Sequence, residues 1–287
     1  MVSTSSFMRL AAALALVASP AFALERGLAW PGQTGGQWTA SVAQDQVGWY
    51  HHYDQGGVPG FENIEWVPMF WGQKLYSQWQ NVKNTINSIY TPANILAQNE
   101  PDQSGQANTD PQTAAQQWVN ELAQYQDKGI RISSPQMSYD QNWLGSFMST
   151  LQNQYGRRPN FIALHFYGTA DDNGFNGLVQ YVQAVHGAYG LPIWMTELGA
   201  VASSNPSEDQ VDQWMHRCME FLQGEGYVER VAWFGDFAQN QNPDGYVSNY
   251  NALFSSADDG SLTELGNDWV HNGNLRRRSV PRRALAK

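Results

Sequence analysis

The sequence predicts a single (β/α)8 barrel of the TIM type, an α/β fold, on three observations. Short β-branched or aromatic runs, bounded by Gly, Pro or Asn, alternate with longer helical stretches from Arg26 to Val270. No linker or internal repeat interrupts them. Their span also suits one domain, since such barrels form from about 250 residues. An open doubly wound sheet would carry a Gly-rich phosphate loop after its first strand, where Trp30-Pro31-Gly32-Gln33 stands instead.

The eight strands are read in order at Gly27–Trp30, Val47–Tyr50, Ile64–Phe70, Asn94–Ala97, Ile130–Ser133, Phe161–His165, Pro192–Thr196 and Val231–Phe234. Helices are read at Leu75–Ile89, Asp110–Gln126, Trp143–Tyr155, Leu178–Tyr189 and Ser207–Leu222. Asp110-Pro111 pairs an N-cap with proline at the first helical position. Ser207-Glu208-Asp209 is a similar start, with acids in the first turn where the helix dipole favours them.

The ends differ from this core. Residues 1–23 read as a secretory signal: Arg9 precedes the apolar run Leu10 to Val17, and Ala21-Phe22-Ala23 is a small-x-small cleavage site. That run is too short to span a bilayer and no later stretch is long enough. A secreted, soluble, monomeric protein is therefore expected, with a catalytic domain at residues 24–274. The last thirteen residues, Leu275 to Lys287, hold five Arg and one Lys and read as a disordered basic tail. Without that tail and Arg9, nine Lys and Arg face 26 Asp and Glu, a net charge of −17. Such a surface repels nucleic acid and anionic membranes and suits a neutral partner. The single cysteine, Cys218, excludes an intrachain disulfide and lies in an amphipathic helix as buried filler.

Under the barrel reading the strand ends share one face, where such barrels keep their chemistry. In order that face collects Trp30, Tyr50 with His51 and His52, Phe70 with Trp71, Asn99-Glu100, Ser133-Ser134, His165 with Tyr167, Glu197, and Trp233 with Asp236. Trp194, two residues behind Thr196, is expected to face a helix. Aromatics, amides and two acids at one rim describe a sugar cleft, because pyranose faces stack on rings and hydroxyls need polar partners. Two carboxyls flanking a glycosidic bond can share its hydrolysis, one protonating the leaving oxygen and the other stabilising the anomeric centre. No metal or other cofactor is expected. His51 and His52 are strand neighbours facing opposite sides, and no His-Glu-x-x-His spacing occurs.

Asn99-Glu100-Pro101 after the fourth strand and Glu197 at the seventh resemble the large retaining clan of barrel glycosidases. Within it, several stretches resemble glycoside hydrolase family 128, whose members are endo-β-1,3-glucanases: Arg26-Gly27-Leu28-Ala29-Trp30, Val67-Pro68-Met69-Phe70-Trp71, Leu164-His165-Phe166-Tyr167 and Trp194-Met195-Thr196-Glu197-Leu198-Gly199. The resemblance spans Arg26 to Val270. It implies that Glu100 is the acid/base, Glu197 the nucleophile and Asn99 the partner of the sugar 2-hydroxyl. His165 and Tyr167 would border the nucleophile, and Trp233 would form the floor under the cleaved sugar. Trp30, Tyr50, Phe70 and Trp71 would line the rest of a β-1,3-glucan cleft. Two other readings stay open at this point: a related hydrolase of β-1,4-glucan or mannan, and a non-catalytic β-glucan-binding protein.

Overall fold

The structure is a computed structural model describing residues 24–32, 37–239, 241–243 and 245–272; the signal and the basic tail read from the sequence lie outside them. Eight strands run β1 (Glu25–Trp30), β2 (Val47–His52), β3 (Glu65–Trp66), β4 (Asn94–Ile95), β5 (Arg131–Met137), β6 (Phe161–Gly168), β7 (Ile193–Ala200) and β8 (Val228–Trp233). All pairings are parallel, in the order β3-β2-β1-β8-β7-β6-β5-β4. β3 and β4 have two residues each because Pro68 has no N–H to extend a ladder. The circuit still closes just beyond them: the Phe70 N–H donates to the Leu96 carbonyl (2.9 Å) and the Leu96 N–H to that of Pro68 (2.8 Å). The molecule is a (β/α)8 TIM barrel.

Seven α-helices are described: α1 (Gln37–Val42), α2 (Tyr76–Ser88), α3 (Pro111–Gln126), α4 (Gln141–Tyr155), α5 (Asp172–Tyr189), α6 (Glu208–Gly224) and α7 (Glu264–His271). Asp110 caps α3 by accepting from the Gln112 and Thr113 amides, and Ser207 with Gln210 forms a full capping box on α6. α4 and α5 start earlier than their apolar periodicity indicates, under caps from Asp140 and Asp171. In α5 the first turns carry Gly174 and Gly177, which hide the helical pattern. α1 and α7 are too short for a periodic signal. Cys218 is buried in α6. Among the described residues no helix is long and apolar enough to cross a membrane.

Strand alternation splits the apolar residues into two layers. Leu28, Trp30, Tyr50, Phe70, Ile95, Met195 and Trp233 face outward and pack on the helices and loops. Ala29, Trp49, Val67, Met69, Leu96, Phe161, Ala163, Trp194 and Ala232 come from strands or their direct extensions and fill the lumen. Trp194 therefore lies inside, not against a helix, with ring centroids 5.3 Å from Trp49 and 4.0 Å from Phe161. A Cβ on Gly27 would meet the Trp49 indole at 2.3 Å, so that close approach requires glycine. Below this plug, at the strand N-termini, Arg230 pairs with Glu25 and Glu65, and Arg131 with Glu229.

Candidate active site

The opposite, C-terminal mouth of the barrel holds the acids. The chain beyond β4 keeps pairing as it rises: the Asn99 N–H donates to the Trp71 carbonyl (3.0 Å) and the Glu100 N–H to that of Gln136 (2.9 Å). Glu100 then turns the chain at φ 41°, a left-handed conformation that costs a non-glycine residue about 1–3 kcal/mol and is concentrated at functional sites.

Glu197 lies within β7, not at its end, because the strand runs on to Ala200. Its direction comes from a bulge. Leu164 pairs with Met195 and His165 with Glu197, so Thr196 has no partner on β6. Trp194 already points into the lumen, and strict alternation would send Glu197 outward; the extra residue turns it inward. His51 holds this kink, its Nε2 donating to the Thr196 carbonyl at 2.8 Å. Burial pushes the His51 imidazole down to about 3, so the ring is a neutral donor.

The two acids meet at His165, fully buried on β6. Its Nδ1–H donates to Glu100 Oε1 at 2.8 Å and lies 3.2 Å from Glu197 Oε2. One oxygen of each Glu and a ring nitrogen of His165 all fall within 4.8 Å of one another. Burial works against charging His165, but the Glu197 and Glu100 carboxylates outweigh it and hold the imidazole above its ordinary pKa. Tyr53 and Tyr167 each donate a hydroxyl to Glu197, to Oε1 and Oε2 respectively, at 2.5 Å. Burial raises the Glu197 carboxyl, His165 pulls it down, Glu100 pushes it up and the tyrosines pull it down; the balance stays above the ordinary glutamate value. Two hydroxyl donors on one carboxyl, with the imidazole nitrogen 3.2 Å away, suit its ionised, acceptor-only form. The Glu100–His165–Glu197 triangle has the donor types and spacing of a cation site. Both Glu197 oxygens, however, are already occupied by tyrosine hydroxyls.

The structure gathers Glu100, Glu197, His165, Tyr167 and Asn99 at this mouth. Asn99 is buried, with its Oδ1 unpartnered among the described residues. Trp71 packs on the lumen plug, partly exposed, as do Tyr53 and Phe234. Three aromatics read as cleft residues, Trp233, Tyr50 and Phe70, are placed otherwise, because the last residue of a strand faces out or in by parity. Trp233 faces outward and is fully buried near Trp214 and Trp269; its Nε1 donates to the Asn251 carbonyl. Phe234 takes the inward position beside Tyr167, with ring centroids 5.6 Å apart. Tyr50 accepts the Val58 amide through its hydroxyl, and Phe70 packs on Trp79 of α2. Trp30 packs edge-on against Phe61 in the outer layer, with one part lining a side cavity. Sequence reading missed Tyr53 and the bracing role of His51. The sequence signal was the odd-numbered series Trp49, His51, Tyr53, which shares the lumen face.

A barrel whose mouth sets two carboxyls this close, bridged by one imidazole and lined by tyrosines and an amide, defines a glycoside hydrolase. The sequence pattern of the glycosyl hydrolase catalytic core matches residues 27–269, and the chain belongs to that family. A curated relative, Alkali-sensitive linkage protein 1 of Schizosaccharomyces pombe, is 32% identical over 257 residues. That match covers 86% of this chain but 44% of the relative, so the chain spans less than half of that protein's length. Among solved structures, a GH128 (subgroup I) endo-β-1,3-glucanase from Amycolatopsis mediterranei in complex with laminaripentaose is 27% identical, with a TM-score of 0.68. The match covers 86% of this chain and 98% of that one. A GH128 (subgroup VI) exo-β-1,3-glucanase from Aureobasidium namibiae shares the fold at 20% identity, TM-score 0.72, covering 89% and 99%.

Proposed function

We propose that this glycoside hydrolase is a retaining endo-β-1,3-glucanase. The observation that carries the reading is the carboxyl spacing. One oxygen of Glu100 and one of Glu197 lie within 4.8 Å of each other, which suits the short spacing of retaining pairs, roughly 5–5.5 Å against about 6.5–9.5 Å for inverting ones. Glu197, held by Tyr53, Tyr167 and His165, attacks the anomeric carbon as a carboxylate. Glu100 gives its proton to the departing glycosidic oxygen. His165 lies between the two, and its Nδ1–H follows whichever carboxyl carries charge. A water activated by Glu100 then releases the sugar with its β-configuration kept. Asn99 meets the 2-hydroxyl of the reacting ring through its free Oδ1. The Amycolatopsis mediterranei relative, above 25% identity, is named as an endo-β-1,3-glucanase, which supports internal cleavage. The N-terminal segment supports secretion, and the acidic surface supports a neutral glucan partner and a monomer.

The test is hydrolysis of laminarin. We expect reducing ends with a fall in viscosity, and the β-anomer as first product by NMR. Glu197→Ala should lose about 10⁴-fold in kcat, and azide should restore turnover of an activated glycoside as the α-azide. Glu100→Ala should give the β-azide. Release of the α-anomer by the wild type, or cleavage of mannan or cellulose but not laminarin, would overturn the reading.

A further inference from the structure

Two residues beyond Glu100 stands a third acid, Asp102, that the hydrolytic scheme leaves unused. It is half-buried, and its carboxylate gathers four donors from one short stretch after β5. The Ser138 amide donates to Oδ1 at 3.3 Å. The Ser138 hydroxyl at 2.7 Å, and the Tyr139 and Asp140 amides at 3.1 Å each, donate to Oδ2. Gln103 adds a further link, its Nε2 donating to Ser138 Oγ at 2.8 Å. A carboxylate accepts such bonds more strongly than an amide or hydroxyl would, so the cross-link depends on the acid.

Its importance lies in where it falls. The Glu100 N–H is fixed on the Gln136 carbonyl, and the Gln103 N–H closes the turn on the Glu100 carbonyl at 3.0 Å. Between these anchors Glu100 is held at φ 41°, a conformation that persists in a non-glycine residue only where its surroundings enforce it. Pro101, buried and stiff in φ, transmits the position of Asp102 back to Glu100. A turn that relaxed to negative φ would swing the Glu100 carboxyl away from His165, its partner at 2.8 Å. Asp102 is also felt at that imidazole. Burial works against charging His165, Glu197 and Glu100 outweigh it, and Asp102 adds to their pull.

We propose that Asp102 is a positioning residue for the acid/base. By tying the loop after β4 to the loop after β5, it keeps Glu100 in its strained turn, with the carboxyl placed to protonate the leaving oxygen. The assignment rests on the glucanase reading above. Without Asp102, the Glu100 amide still has Gln136 and the Thr109 amide still has the Pro101 carbonyl. The loop therefore keeps its path while the acid loses its aim.

Proton donation matters more the poorer the leaving group, and this separates aim from stability. 2,4-Dinitrophenolate departs unaided, whereas phenolate needs the proton. The experiment compares kcat/KM for the 2,4-dinitrophenyl and phenyl β-laminaribiosides. Asp102→Asn keeps the shape and removes the charge. It should lose about ten- to a hundredfold on the phenyl substrate and stay within about twofold on the dinitrophenyl one. Ser138→Ala removes one donor and should show the same split at about two- to fivefold. Glu100→Ala sets the full scale of the split. Equal losses on both substrates, or no loss on either, overturn the assignment. Should Asp102→Asn fail to fold, Ser138→Ala decides alone: a split supports the assignment and its absence overturns it. Wild-type protein inactive on both glycosides and on laminarin, or a Glu100→Ala variant without the split, overturns the glucanase reading itself.

Discussion

At the strand N-termini Arg230 sits between Glu25 and Glu65, with its guanidinium 4.4 Å from the Trp194 ring centroid, and Arg131 meets Glu229 at 2.7 Å. At the strand C-termini Glu100 and Glu197 gather around one imidazole, and none of their partners among the described residues is Lys or Arg. One floor of aromatic side chains separates the two groups. The lower end answers each charge with an opposite one, which fixes strand ends in place. The upper end leaves like charges facing each other and holds them with hydroxyls and one titratable ring. Perturbed acids of that kind are costly to fold and useful for proton transfer. The same barrel thus concentrates stability at one end and reactivity at the other.

If that division holds, substitutions at the two ends have opposite signatures. Arg230→Met should lower stability by about 2–3 kcal/mol, below the full figure for a buried pair because Glu25 is 39% exposed. Urea unfolding should record that loss, while kcat and the pH profile at 25 °C stay those of the wild type; a shifted profile would join the two ends. Tyr53→Phe should leave stability nearly unchanged and lower kcat about ten- to a hundredfold, since a hydrogen bond to a charged group is lost. It should also move the acidic limb of the rate profile. Glu197 must be ionised to attack, and its carboxyl already titrates above the ordinary glutamate range. Losing a donor to the charged form raises it further, so the limb moves to higher pH. A limb that stays put or moves down separates Tyr53 from Glu197.

The smallest effect concerns stability at the mouth. Glu197 has a raised folded pKa, so the folded state binds the extra proton and stability falls as pH rises from the unfolded value through the folded one. Glu197→Gln removes that dependence. At pH 7 the inactive variant should be about 1 kcal/mol more stable than the wild type, and the gain should disappear near pH 4. A variant less stable at pH 7 would mean that the tyrosine bonds outweigh the buried charge.

Most of the fold was readable because eight apolar runs and five periodic helices survive without tertiary context, and the caps at Asp110 and Ser207 are local chemistry. The two acids were readable for the same reason, each standing beside a run that ends. The aromatic lining was not. Trp30, Tyr50, Phe70 and Trp233 end predicted strands, but facing depends on parity, and parity depends on where each ladder starts. β6 shows the rule working: Phe161, Ala163, His165 and Tyr167 share the inner face. β7 breaks it at Thr196, since a bulge is set by the register of two neighbouring strands and leaves no residue signature of its own.

The bulge at Thr196 also bears on how such a site could be moved. A barrel strand offers two addresses, hydrocarbon or mouth, and successive residues alternate between them. Copying Glu197 onto a regular strand at the same height would deliver its carboxylate to the helical layer. The transferable unit is therefore four parts long: the glutamate, the inserted residue before it, the carbonyl that residue turns aside, and the neutral histidine on β2 that donates to that carbonyl. A designer grafting this chemistry would have to count residues before choosing them.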